Sequence, residues 1–134
     1  MTYLLDTSVI VSSLRGDVSP SGKTQLSHYL TTGSAVSIVS VAEYADGAYR
    51  TRHPEETLKL WERFREEARL EVLLLDEETA VAYGRIRADL ATKGAQLSTL
   101  DALIAATALH HRLTLVTQDR DFRRVPELDV SFVA

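Results

Sequence analysis

Carboxylates carry most of the chemistry this sequence offers. Asp6 follows a short apolar run, Tyr3 to Leu5, and Asp119 and Asp121 follow another, Leu113 to Val116. Glu43 and Asp101 fall near the starts of two helical segments. There is no Cys, which removes thiol nucleophiles, disulfides and thiolate zinc sites. Neither a G-x-S-x-G elbow nor a convincing Ser/His/Asp arrangement is present. Acids gathered at one place repel each other and hold protons unless a cation sits among them. Hard oxygen donors favour Mg²⁺ or Mn²⁺ over zinc. A site of this kind supports metal-assisted phosphodiester hydrolysis, in which a bound water is deprotonated near neutral pH and no side-chain nucleophile is needed.

The elements that must position these acids follow from hydropathy patterning. Tyr3 to Leu5 predicts a strand, Asp6 a polar turn, and Val9 to Leu14 a helix ending at Arg15-Gly16. A looser amphipathic segment covers Thr24 to Leu30 and closes at Gly33, Ala35 to Val39 reads as a second strand, and Ser40 opens a helix carrying Glu43 and Tyr44. Pro54 suits a first helical turn, after which Leu58, Trp61, Phe64 and Ala68 recur along one face. Val72 to Leu75 and Leu113 to Val116 read as buried strands and Val130 to Val133 as a last edge strand. Glu77 to Ala91 and the alanine-rich Ser98 to His110 read as helices. Short apolar strands alternating with helices predict a three-layer α/β/α domain with a central, mainly parallel sheet, a single domain over 1–134. Ligands of such sheets gather at the carboxyl ends of the strands, the rim on which all these acids fall.

Local explanations compete at each position. Ser40-x-x-Glu43 has the form of a capping box, and Ser98-x-x-Asp101 approximates one. Asp6-Thr7-Ser8 also reads as a turn and helix cap, and Asp119-Arg120-Asp121 as a solvated turn. Net charge is −4, from 15 Lys and Arg against 19 Asp and Glu, which argues against a protein coated in positive field. Were four acids metal ligands, the other 15 would balance the bases. At 45% hydrophobic and 25% charged, with six Gly and three Pro, the composition is that of a folded globule. No signal peptide or membrane span is legible, so a cytoplasmic location is expected.

Taken together, Tyr3-Leu-Leu-Asp6-Thr7-Ser8, Ser37-Ile-Val-Ser40-Val-Ala-Glu43, Ser98-Thr-Leu-Asp101-Ala-Leu-Ile-Ala-Ala and Leu115-Val-Thr117-Gln-Asp119-Arg-Asp121-Phe122 resemble a PIN-domain ribonuclease, specifically the VapC toxins of type II toxin-antitoxin pairs. The resemblance spans essentially the whole chain. It implies that Asp6, Glu43, Asp101 and Asp119 are the catalytic, Mg²⁺-binding acids, with Asp121 a fifth contributor and Thr7, Ser8 and Thr117 supporting them. Thr117 would position the last acidic loop through its hydroxyl. The resemblance further implies an endoribonuclease acting on RNA, a cognate VapB-like antitoxin that blocks the site, and a homodimer or toxin-antitoxin hetero-oligomer. Arg120, Arg123 and Arg124 are then candidates for RNA contact, and the stripe Leu58, Trp61, Phe64 for antitoxin contact, against ordinary surface and core roles for the same residues.

Other motifs lead elsewhere or nowhere. Gly22-Lys23-Thr24 resembles the end of a phosphate loop, but five residues separate Gly16 from Gly22 and no strand immediately precedes them. Arg15-Gly16-Asp17 reads better as a helix C-terminus than as an adhesion tripeptide. His28, His53 and the pair His110-His111 lack metal-ligand spacing, and adjacent histidines are expected to face different sides of a helix. Two alternative functions are a Mg²⁺-binding phosphoacceptor module, which needs a lysine on a late loop where none follows Leu113 to Val116, and a non-catalytic PIN-like binding domain, against which the intact acid set argues.

Overall fold

The computed structural model describes residues 1–134. Five strands, β1 (Tyr3–Leu5), β2 (Ser34–Ser37), β3 (Glu71–Leu73), β4 (Thr114–Thr117) and β5 (Val130–Phe132), form one sheet. Their order is β3-β2-β1-β4-β5, and every pairing is parallel. Strand side chains alternate between the two faces. Leu4, Ala35 and Leu115 belong to one hydrophobic cluster, whereas Leu5, Val36 and Val116 belong to the other. All six are 0% exposed, as expected of a sheet covered on both sides, and this explains why the strands read as unbroken apolar runs.

Against Leu4, Ala35 and Leu115 pack α5 (Glu77–Thr92) and α6 (Thr99–His110), through Ile86, Leu90, Ala102, Ala105 and Ala106. The alanines let α6 approach the sheet closely. The opposite layer contains α1 (Thr7–Arg15), α2 (Pro20–Thr32), α3 (Ile38–Tyr49) and α4 (Pro54–Ala68), which contribute Val9, Ile10, Leu26, Tyr29, Tyr44 and Trp61. The expected three-layer α/β/α architecture is the observed one.

Several boundaries differ from expectation for local physical reasons. The second strand ends at Ser37 rather than Val39, because the Ser37 hydroxyl accepts the N–H of Val39 (3.1 Å) and caps α3. Ile38 and Val39 are β-branched and read as strand, yet they form the first helical turn. Ser40 therefore lies inside the helix, and the capping box expected at Ser40-x-x-Glu43 does not exist. The segment Thr24 to Leu30 is part of a longer α2 that Ser19 caps at Gly22 N (3.0 Å), with Pro20 in the first turn. The structure agrees with setting the phosphate loop aside, since Gly22-Lys23-Thr24 lies in the first turns of a helix. A Cβ on Gly22 would lie 2.6 Å from the Ala134 carbonyl, so this glycine makes room for the carboxyl terminus. Gly16 closes α1 in the left-handed region (φ 74°), as a helix C-terminus requires. Asp119-Arg120-Asp121 is no open turn: Asp119 caps a short 3₁₀ helix, Arg120–Arg124, by accepting the N–H of Asp121 (2.9 Å).

Candidate active site

Pairing registers place the first acid. Leu5 lies level with Val36 on one side and Val116 on the other, so Asp6 and Thr117 are the next residues on adjacent central strands. Asp6 N–H donates to Val116 O (2.9 Å). The Thr117 hydroxyl donates to Asp6 Oδ2 (2.7 Å), as does Ser8 Oγ (2.9 Å). Asp6 occupies the N-cap position of α1, but its carboxylate makes no cap bond there. It is 4% exposed, and burial pushes its carboxyl above the ordinary range, against the lowering effect of the two hydroxyls.

The chain crosses from β3, at one edge, by way of α5 and α6 to β4 on the far side of β1. The gap between β1 and β4 is a topological switch point, where open α/β sheets bind ligands. Thr117 spans it, donating to Asp6 while its oxygen accepts the N–H of Asp119 (3.0 Å). Gln118 docks alongside, its N–H on Ser8 Oγ (3.3 Å) and its Oε1 accepting from Ser12 (2.7 Å). Glu43 arrives from α3, where Thr7 donates to Glu43 Oε1 (2.7 Å) and lies 2.9 Å from the buried Ser40 Oγ. Asp101 arrives from the first turn of α6, whose Ser98 cap accepts the Asp101 N–H (3.1 Å). The expected Ser98 cap is real: it accepts the Asp101 N–H and, against the effect of burial, the same hydroxyl also lowers the Asp101 carboxyl. Burial, then the negative charge of Asp6, raises the Asp101 carboxyl.

Asp6, Glu43, Asp101 and Asp119 line one cleft of about 390 Å³, together with Thr7, Ser8, Val11, Ser12 and Gln118. Asp121 is not among the lining residues; it is exposed and pairs with Arg124 (3.3 Å). Arg124 also donates to Gln96 O (2.7 Å). Arg120 and Arg123 lie over the Phe132 ring, 5.4 and 4.7 Å from its centroid, which braces their guanidinium groups without using all their donors. Of the stripe on α4, Trp61 is buried against Tyr44, Leu58 is half-buried, and Phe64 lines a cleft of about 700 Å³ with Gly16, Leu26, Leu30 and Ala68. Sequence reasoning did not assign Ser40, Ser12 or Gln118, whose roles arise from contacts 33 to 110 residues apart in sequence.

A parallel sheet with four acids lining the crevice at its switch point defines an α/β domain with an acidic cleft, and residues 3–128 match the PIN domain. The chain belongs to the PIN-domain family, among the VapC ribonucleases. It is 33% identical over 138 residues to ribonuclease VapC1 of Rickettsia felis, covering 100% of this chain and 98% of that protein. It is 30% identical over 131 residues to the tRNA(fMet)-specific endonuclease VapC of Salmonella typhimurium, covering 97% and 96%. The crystal structure of VapBC2 from Rickettsia felis bound to a DNA fragment from their promoter contains a chain that superposes with a TM-score of 0.90 at 27% identity, over 100% of both chains. The resemblance drawn from the sequence is thereby borne out. No helix is long and apolar enough to cross a membrane.

Proposed function

We propose that this chain is a divalent-metal-dependent endoribonuclease, the toxin of a toxin-antitoxin pair, and that Asp6, Glu43, Asp101 and Asp119 are its catalytic acids. The observation that carries the reading is the buried Asp6 carboxylate, fixed by Thr117 and Ser8 at the floor of a cleft that three further acids line. An all-oxygen donor set with two carboxyls pushed upward by burial is a site short of positive charge, and it suits Mg²⁺, with Mn²⁺ as substitute. Such an ion, when bound, lowers the pKa of a water enough to supply hydroxide for attack on a phosphodiester. Asp6 and Asp101 would hold the ion, with Asp119, tethered through Thr117, on the β4 side. Glu43, with Oε1 tied to Thr7, would complete the acid set and offer Oε2 to the ion or to a proton of its water. Arg120 and Arg123 contact RNA phosphates, while Asp121 and Arg124 brace the loop.

A VapB-like antitoxin contacts the α4 face at Leu58 and Phe64, where Phe64 lines the larger cleft, and the chain that continues from this contact occupies the separate acidic cleft and blocks it. The single domain over 1–134 acts in the cytoplasm, as a homodimer or a complex with its antitoxin. The test uses the chain freed of any partner and incubated with total RNA and with transfer RNA, the new ends being mapped. Cleavage in Mg²⁺ and Mn²⁺, weak cleavage in Ca²⁺ and none in chelator are expected. Undiminished cleavage by metal-depleted protein in chelator would overturn the metal mechanism.

A further inference from the structure

At the opposite end of α6 from Asp101, nine residues and about 13 Å along the axis, the structure brings together side chains expected on different sides of the helix. His110 ends the helix, and His111 is its C-cap, where the chain turns out through Arg112 in the left-handed region (φ 56°). The two rings, expected on different sides, lie 4.7 Å apart between centroids. They face Asp76, the N-cap of α5. One potential ligand atom from each of Asp76, His110 and His111 lies within 4.8 Å of the others. His110 Nε2 is 3.5 Å from Asp76 Oδ2 and 3.2 Å from Glu78 Oε2. Ligand atoms in a tetrahedral site with bonds of about 2.0–2.1 Å stand about 3.3 Å from one another, so the His110 separations already match a coordination shell and the His111 ring stands within a side-chain adjustment of it.

The donor set also differs in kind from that of the acidic cleft. Two imidazoles and a carboxylate, with the exposed Glu78 carboxylate beside His110, select borderline transition metals such as Zn²⁺, Co²⁺ or Ni²⁺ over Mg²⁺. Nε2 of His111 is buried with no hydrogen-bond partner, a vacancy that folded proteins seldom leave. The Asp76 and Glu78 side chains are 51% and 80% exposed, which leaves an ion a path in. We propose that Asp76, His110 and His111, completed by Glu78, form a second metal site that takes a zinc-class dication and clasps the start of α5 to the end of α6. This goes beyond the nuclease reading and does not depend on it.

The test is Zn²⁺ titration, by calorimetry and by thermal melting, of the full chain without a histidine tag and carrying Asp6→Asn and Asp101→Asn, so that binding in the acidic cleft does not contribute. One equivalent of Zn²⁺ is expected, with a raised Tm, no competition from Mg²⁺, and intense visible absorption typical of tetrahedral coordination when Co²⁺ replaces it. His110→Gln and His111→Gln should each weaken binding by at least about tenfold, the loss that removing even a supporting group produces. Asp76→Asn should do the same while melting close to its parent in chelator, because Asn caps a helix as well as Asp does. No Zn²⁺ binding, or an affinity unchanged in both His111→Gln and Asp76→Asn, would overturn the proposal and leave an ion-pair cluster at two helix ends. Failure of RNA cleavage has no bearing on either outcome.

Discussion

Thr117 is one hydroxyl with two obligations, since it donates to Asp6 Oδ2 and accepts from Asp119 N–H. It is completely buried, so its removal leaves a buried acceptor and a backbone donor without their partner. Thr117→Val is expected to cost about 1–3 kcal/mol in urea denaturation and to lower cleavage per folded molecule, whereas Thr117→Ser restores both. Equal activity of the Val and Ser variants per folded molecule would confine Thr117 to packing. The charge side of the site makes a second prediction. Folding raises the Asp101 carboxyl, so the folded chain binds its proton more tightly than the unfolded chain does. In metal-free protein that contribution favours the fold at low pH, below the ordinary aspartate range, and is lost as pH rises through the raised value. Asp101→Asn removes the ionisation but keeps the Ser98 cap. In chelator it should melt no earlier than the parent at pH 7, with its relative advantage fading as the solution is acidified. A neutral-pH Tm clearly below the parent's would show the Asp101 charge to be stabilising rather than costly. Of the residue-level picture, Asp6, Asp119 and Asp101 were legible because they follow a strand or open a helix on the same rim, whereas Glu43, in the second turn of α3, and Thr117, at the end of β4, rested on the family resemblance. Asp121 was not separable from Asp119 by spacing: a 3₁₀ turn seats Asp119 in the cleft and pairs Asp121 with Arg124, yet the Asp121 charge still acts on the Asp101 carboxyl.

Element boundaries decide which serine does what at the start of α3. Ser37 and Ser40 both stand three residues before a polar or acidic position, and only the fold distinguishes them. Ser37→Ala should cost about 1 kcal/mol as a lost cap while cleavage per folded molecule stays near the parent's. Ser40→Ala leaves the cap intact but withdraws the neighbour of Thr7, and its effect should fall on cleavage instead. The reverse assignment of losses, measured by urea denaturation beside cleavage rates, would restore the capping box at Ser40. The strands were readable because a sheet covered on both faces needs unbroken apolar runs. The α3 boundary was misread because Ile38 and Val39 prefer strand geometry and tertiary packing overrides that preference. The His110-His111 pair was misread for a related reason: helical periodicity separates adjacent side chains only while the helix continues, and it ends at His110.

At the scale of the whole molecule, a chain of net charge −4 must approach a polyanion through local basic groups. Arg85 is paired with Glu127 and Asp89, Arg50 with Asp46, and Arg87 with Leu97 O, whereas Arg120, next in sequence to the cleft residue Asp119, and Arg123 rest on Phe132 with no acidic partner. Replacing both with Ala should make the salt dependence of RNA binding shallower by about 1.4 in log–log slope, two single-strand phosphate contacts' worth. An unchanged slope would remove them from the RNA path. What the fold as a whole accomplishes is to bring acids from four separate segments to one switch point, and Glu43, from the most peripheral of these elements relative to β4, tests whether they act as one site. Glu43→Gln keeps the acceptor for Thr7 and caps nothing, so its Tm in chelator should match the parent's closely. The most direct measurement is the rate of RNA cleavage in Mg²⁺ per folded molecule, taken on the same preparations as the melts. The account predicts a fall of at least about a hundredfold at unchanged stability, and Glu43→Gln protein that cuts at the parent's rate would contradict it.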